Sequence, residues 1–426
     1  MLSTLRNAWK VPELRKRMIF TIMMVVLFRM GNFIPVPGID SSKIGSQLAN
    51  SKNLLNFYDL ISGGAFSSFS IFAMGVTPYI NASIIIQLLT VAIPRLEQLS
   101  KEGQDGRKKI QNYTRYSSII FALVEALGMY YIIGRTGAIL DTSKFNMFLV
   151  ILTMTTASVF LVWLGEQITA RGIGNGVSMI IFVNIISRFP NSMSKVFLTK
   201  SMGGATFVAV TILLAGLAAM LLMVIVVNLS ERRIPVQYAG KAAGGKMFKG
   251  QSTHIPINIS SSSVISIIFA MSVMRFPITI ADFAPNTAFA KFVKTSPYSI
   301  FRENTWQYAV VYAVLIIFFT VFYTQITFKP DEMSENMHKS SGFIPGIRPG
   351  EPTTMYLESV LNKMAVLGGL FASIIAIFPI LIEAYSPFKQ ISLGGTALLI
   401  VVGVAVETMR QLESQLVMRH YQGFLK

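Results

Sequence analysis

The sequence predicts an all-α polytopic membrane protein: ten transmembrane helices in two inverted five-helix halves around a central cavity or pore. Three observations carry this. Of 426 residues, 52% are hydrophobic and only 13% charged, against about 25% charged in a soluble domain. Apolar runs of roughly 20 residues, the length that crosses a bilayer, recur ten times. One of them, Ile71–Ile93, carries Pro78 and Asn81 and follows the glycine- and serine-rich stretch Phe57–Ser70, with Gly63 and Gly64 together. Irregular backbone at membrane depth is tolerated only where protein buries it or water lines it.

Residues 1–17, MLSTLRNAWKVPELRKR, are basic and amphipathic. The apolar run that follows is long enough to remain as a span rather than act as a cleaved signal. The predicted spans are 18–36, 71–93, 113–133, 145–165, 176–190, 205–229, 263–282, 305–325, 360–382 and 391–409. The fifth is short. The seventh is weak, opening on Ser260–Ser263 and carrying Arg275 and Pro277. With both termini cytosolic, and with each basic residue inside a span except Arg29 counted with the nearer segment, the inside segments hold 24 Lys and Arg and the outside segments 12, the bias expected of cytosolic loops. That bias also accounts for the net charge of +17, with a ribosome or acidic partner as an addition.

Five spans per half force opposite orientations on the halves, 18–190 and 205–412, joined by an external hinge at 191–204. A cytosolic tail, 413–426, follows. The second span of each half is the irregular one, and interrupted spans at matching positions point to a functional site at the repeat interface. Two long cytosolic loops, 230–262 and 326–359, are rich in Gly, Pro, Lys and Arg. Loops of such length are often functional. They are expected to project as hairpins that offer basic residues to a soluble partner.

Enzyme chemistry is not expected. There is no cysteine, and the histidines are His254, His338 and His420, all in cytosolic segments. Neither Gly-x-Ser-x-Gly nor His-Glu-x-x-His occurs, and no cofactor or metal site is expected. Gly240–Met247, GKAAGGKM, nearly matches a P-loop, but Met247 replaces the magnesium-binding hydroxyl and no strand–helix context surrounds it. Arg171–Ser178, RGIGNGVS, lacks the third glycine of a dinucleotide turn. Any energy source is therefore external. Candidate charges at membrane depth for ion coupling are Arg29, Glu125 and Glu407. Such charges are costly and often functional, although Arg29 and Glu407 lie near span ends, where they can snorkel. Val76 and Ile80 are four apart, as are Val177 and Ile181. Ordinary helix packing explains both pairs, and so does a hydrophobic constriction that gates by dewetting.

Five long motifs then resemble the SecY family, the channel subunits of the bacterial protein translocon. They are FRMGNFIPVPGID (Phe28–Asp40), SGGAFSSFSIFAMGVTPYINASIIIQLL (Ser62–Leu89), KEGQDGRKKIQNYTRY (Lys101–Tyr116), WLGEQITARGIGNGVSMIIF (Trp163–Phe182) and GFIPGIRPGEPT (Gly342–Thr353). The resemblance covers essentially the whole chain. It implies an hourglass pore with a plug at about 57–70 (Phe57, Ser62, Gly63, Gly64, Phe66, Phe69). It implies a ring of Val76, Ile80, Val177, Ile181, Ile268 and Ile400, and a lateral gate with Asn81, Ile84, Glu125 and Phe276. Arg232, Arg233, Lys246, Lys249 and Arg348 would dock the motor ATPase SecA or a ribosome. The implied partners are the small membrane subunits SecE and SecG, signal-bearing polypeptides and the lipid bilayer. The implied location is the bacterial inner membrane. In span 7 the family's Asn-x-Ala-Gly-Val-Ile-Pro is replaced by Ser260–Ser266, SSSSVIS, so the usual kink there is in doubt. The rival reading is an ion-coupled secondary transporter with inverted repeats, which also uses discontinuous helices.

Overall fold

A computed structural model describes residues 2–44, 63–134, 137–201, 207–238, 242–243, 246–247, 252–258, 263–283, 287–296, 299–302, 305–385 and 395–423. Each of the ten predicted spans falls on a helix. The contacts divide the chain into two compact units, Met1–Lys195 with Val404–Lys426, and Val196–Gly403.

The first unit opens with the amphipathic helix α1 (Leu2–Lys10) and α2 (Pro12–Gly31), which starts on a proline that is pre-set for a first helical turn. Ala8 and Leu14 are buried with Ile173 and Leu412, so the N-terminal helix is packed rather than free. Next come α3 (Thr77–Ala92) and α4 (Pro94–Lys101), bent by 99° at Ile93–Pro94. Pro78 lies in the first turn of α3, where its missing N–H costs nothing. It starts the helix rather than interrupting one, and residues 71–76 are turns instead of span. The long helices α5 (Gln104–Gly134), α6 (Lys144–Arg171) and α7 (Gly176–Ser201) complete this part. Ser143 caps α6, its side chain accepting from the Asn146 N–H.

Along α5 the buried face reads Thr114, Ser118, Ala122 and Ala126 at four-residue spacing. Ile120, Leu123 and Val124 point outward and are exposed. Small residues inward and large apolar residues outward is the pattern of a helix whose neighbours are lipid and close-packed helices.

The second unit holds α8 (Phe207–Leu229), α9 (Ser263–Phe283), the short α10 (Ala288–Thr295), α11 (Trp306–Phe328), α12 (Pro330–Lys339), α13 (Glu351–Tyr385) and the start of α14 (Gly395–Gly423). Helices α11 and α13 touch at Gly369, where an added Cβ would lie 3.0 Å from the Ile317 Cα. Ser373 Oγ lies 3.2 Å from the Ala313 carbonyl across that contact. Thr320 and Thr324 bond to carbonyls one turn back, so their hydroxyls are satisfied without water. Among the described residues, five helices are long and apolar enough to cross a membrane on their own, and the α3–α4 pair, bent by 99°, meets the same measure only when its two helices are taken together.

The two long loops are not separate hairpins. Strand β1 (Glu231–Tyr238) pairs antiparallel with β4 (Ser252–Asn258), the short β2 (Ala242–Ala243) and β3 (Lys246–Met247) pair with each other, and β1 also pairs with β5 (Gly342–Phe343) of the second loop. Residues 326–359 thus form helix α12, a two-residue strand and a turn instead of a projecting hairpin. One core of Ile234, Val236, Ile257, Met337, Ile344, Leu357 and Leu361 joins both loops to α13.

Candidate functional site

The segment Gly63–Val76 is a chain of turns fixed at both ends. Gly63 and Gly64 adopt φ of +64° and +96°, a region costly for residues with a Cβ. They also lie against α7: a Cβ on Gly63 would meet the Asn184 Cα at 2.8 Å, and one on Gly64 the Arg188 guanidinium at 2.7–2.9 Å. Phe69 itself has φ of +41°. The Ser70 N–H donates to the Ala65 carbonyl at 2.8 Å, and the Phe69 N–H to the Phe66 carbonyl at 3.0 Å. Residues 34–36 hold 69–71 as a short antiparallel bridge, through Val36 N–H to Phe69 carbonyl (3.0 Å) and Ile71 N–H to Ile34 carbonyl (2.9 Å).

Phe66 and Phe69 are 0% and 1% exposed, and their rings meet edge to face at 6.0 Å. They sit among Met74, Met129, Ile133 and Met154. The glycine pair allows close approach, and the described part of the segment is tightly packed. Phe57 and Ser62 lie outside the described residues.

Polar side chains from α2 and α7 grip this segment. Arg188 Nη2 donates to Ser67 Oγ at 2.8 Å. Ser187 Oγ donates to the Asn184 carbonyl at 2.7 Å and lies 3.5 Å from the Gly63 carbonyl. Arg29 Nη1 donates to that same Ser187 Oγ at 3.1 Å. Arg29 therefore faces protein rather than snorkelling to water. Asn184, Ser187 and Arg188 were not anticipated as site residues. The available signal was Arg188 itself, a cation two residues before Pro190 at the end of an apolar run.

The residues of the first unit expected in the ring, Val76, Ile80, Val177 and Ile181, lie at or just after the end of this segment or on α7. Val76 is buried and caps α3, its carbonyl accepting from the Ile80 N–H at 3.1 Å. The Val76/Ile80 spacing is thus a helix entry and not a regular helical face. Ile80 and Val177 are half-buried and Ile181 is buried. Asn175 caps α7 by accepting from the Val177 and Ser178 N–H groups, which sets the direction of Val177. In the second unit, Ile268 on α9 and Ile400 on α14 are half-buried. Of the gate residues, Asn81 and Ile84 are half-buried on α3 and Glu125 is half-buried on α5. The Phe276 side chain lies outside the described residues. Helix α9 runs from Ser263 with Pro277 inside it.

The basic positions sit on the strand module. Arg232 and Arg233 are exposed on β1, and Arg233 pairs with Glu231 at 2.7 Å. Arg348 is exposed in the turn after β5, between Gly346 (φ +83°) and Gly350 (φ +100°), and its carbonyl accepts from Thr353 Oγ1 at 2.8 Å. Lys246 lies on β3; Lys249 lies outside the described residues.

These features define a class: a polytopic α-helical membrane protein with the fold of a protein-conducting channel. A solved protein-conducting channel matches with a TM-score of 0.63 at 18% identity, covering 96% of both chains. Sec61 from a canine ribosome–channel complex of the endoplasmic reticulum matches with a TM-score of 0.61 at 20% identity, again over 96% of both chains. The SecY family model matches residues 70–409. The protein translocase subunit SecY of Halalkalibacterium halodurans is 41% identical over 440 residues, covering 100% of both chains. That of Thermotoga maritima is 39% identical over 436 residues, covering 100% of this chain and 98% of its own. The chain belongs to the SecY family.

Proposed function

We propose that the chain is the central subunit of a protein-conducting channel, passing unfolded secretory polypeptides across a membrane and releasing signal and transmembrane segments sideways into lipid. The observation that carries this is the full-length relation to translocase subunits on a fold shared with protein-conducting channels. The reading places it in a bacterial inner membrane with both termini cytosolic, alongside SecE and SecG. SecA or a ribosome would dock through Arg232, Arg233, Lys246, Lys249 and Arg348. The chain is a conduit, and the work is supplied from outside.

The seal has two parts. The segment that includes Phe66 and Phe69 is the plug. Val76, Ile80, Val177, Ile181, Ile268 and Ile400 form an aliphatic ring that adapts to varied cargo and dewets when empty. The two inverted halves, 18–190 and 205–412, open along Asn81, Ile84, Glu125 and Phe276. Ten Leu-like residues gain about 5 kcal/mol on entering lipid at ~0.5 kcal/mol each. Inverting a 1:99 equilibrium takes ~5.5 kcal/mol, so cargo hydrophobicity is large enough to bias the gate. If signal hydrophobicity proved unrelated to crosslinking between α3 and α9, that mechanism would fall. The function is tested by reconstituting the chain with SecE, SecG, SecA and a secretory precursor. ATP-dependent protection of the precursor from protease is expected. Uptake of a small solute driven by an ion gradient, without precursor transport, would favour a secondary transporter instead.

A further inference from the structure

Helices α3, α5 and α6 and the α6–α7 turn enclose an open cleft of about 390 Å³ in the first unit, lined by Tyr79, Gln111, Arg115, Glu166, Asn175 and Val177 among others. The carboxylate in its lining belongs to Glu166. Arg115 holds it with two bonds, Nε to Oε1 at 3.2 Å and Nη2 to Oε2. The two partners differ in exposure: the Glu166 side chain is 16% exposed and that of Arg115 is 45%. The acid is fixed in the wall, and the base is an arm that reaches it from the open side.

We propose that this cleft seats the basic segment that precedes the apolar run of a signal, with Glu166 receiving its Lys or Arg and Arg115 serving as the resident stand-in. The proposal rests on the channel function above and names the part of the cargo that one site reads. Signals carry a cationic segment directly before their apolar one. The cleft offers one fixed anion and neutral oxygens from Tyr79 and Gln111, the Asn175 oxygen being taken up by the α7 cap. It also sits at the right place along the path. Val177, a proposed ring position, is itself part of the cleft lining, so the cleft borders the proposed path. The start of α5 and the end of α6 face the cytosol in the proposed orientation, the side on which a cationic segment stays.

Exchange is also the inexpensive route. A carboxylate left unpaired in a mostly buried wall is costly. Replacing Arg115 by a cation of the cargo keeps Glu166 paired throughout. The half-exposed guanidinium then moves into water, where an ion pair of this kind contributes little.

The test is charge-reversal genetics in proteoliposomes with SecE, SecG and SecA. Three precursors differ only in the segment before the apolar run: three lysines, three glutamines or three glutamates. The expected result for Glu166→Lys is a fall of about tenfold in the initial rate for the lysine precursor, little change for the glutamine precursor and a gain for the glutamate precursor. The reversed pair, Arg115→Glu with Glu166→Lys, restores the bridge and therefore the fold. It is expected to keep the altered preference. Should the reversed pair return all three precursors to wild-type rates, Glu166 would be a structural partner of Arg115 and the proposal would fail. Glu166→Gln serves as the milder variant and is expected to lose discrimination between lysine and glutamine precursors at unchanged thermal stability. Equal losses for all three precursors would also overturn the proposal. A wild-type protein that transports none of them would instead refute the channel function itself.

Discussion

Replacing Gly64 by alanine tests whether the plug segment is a seal held by α7. The substitution acts twice. An alanine forced to φ of +96° costs about 1–2 kcal/mol. Its Cβ would also meet the Arg188 guanidinium at 2.7–2.9 Å, so Arg188 must withdraw and release its 2.8 Å bond to Ser67. A hydrogen bond to a charged group contributes about 1.5–3 kcal/mol. The seated state should lose about 3 kcal/mol in all, or roughly a hundredfold in equilibrium. A plug seated ~99% of the time would then be seated about half the time. The assay is chloride flux from proteoliposomes holding the resting channel, with no precursor or motor present. A large rise in leak is expected. Gly75→Ala is the control: Gly75 has φ of +58° but nothing within 4 Å of an added Cβ, so it carries strain without collision and should leak less. A folded Gly64→Ala protein with wild-type leak would refute the reasoning, as would equal leak from both variants.

Polar replacements at Ile181 and Ile268 should raise resting ion leak as well, because a wetted constriction no longer excludes water; unchanged conductance in planar bilayers would remove them from the ring. Arg348→Glu should abolish motor-driven transport with assembly intact, since the side chain is exposed and only its backbone carbonyl is engaged by Thr353; normal secretion by that variant would sink the assignment. Gly369→Val should destabilise the α11–α13 contact by about 1–3 kcal/mol of overpacking, because the added Cβ would lie 3.0 Å from the Ile317 Cα; thermal unfolding in detergent reads the loss, and an unchanged midpoint would contradict it.

The helices were legible because apolar length is a local property, and ten runs sufficed to place ten helices. The ends of irregular segments were less so. Pro78 reads as a break when only its neighbours are visible; its place in the first turn of α3 follows from residues 34–36 holding 69–71 and the turns at 71–76 that lead into the helix. The second basic loop was misjudged for a related reason. Its strand β5 is two residues long and exists because β1, a hundred residues earlier in the chain, supplies the ladder. The grip on the plug was the least legible. Gly63 and Gly64 suggest flexibility until Asn184 and Arg188 are placed against them. A glycine pair needed for close approach and one needed for mobility look identical in a sequence.

The packing of the proposed plug follows from its surroundings. Between lipid-facing helices, apolar side chains gain little by meeting each other, since lipid tails serve them equally. That is why small residues and internally bonded hydroxyls define the α5 and α11–α13 contacts. A segment that leaves its seat for a water-filled path faces a different exchange. Exposing Phe66 and Phe69 to water costs about 1.5–3 kcal/mol each, so the two rings hold the seat with about 3–6 kcal/mol. That range brackets the ~5.5 kcal/mol needed to invert a 1:99 equilibrium and the roughly 5 kcal/mol that a ten-residue apolar signal gains from lipid. Two buried aromatic rings would therefore suit a seal that cargo can displace, their burial being comparable to what a signal gains from lipid. The bond from Arg188 to Ser67 adds both strength and direction, since a hydrogen bond to a charged group contributes about 1.5–3 kcal/mol and this one ties the segment to α7.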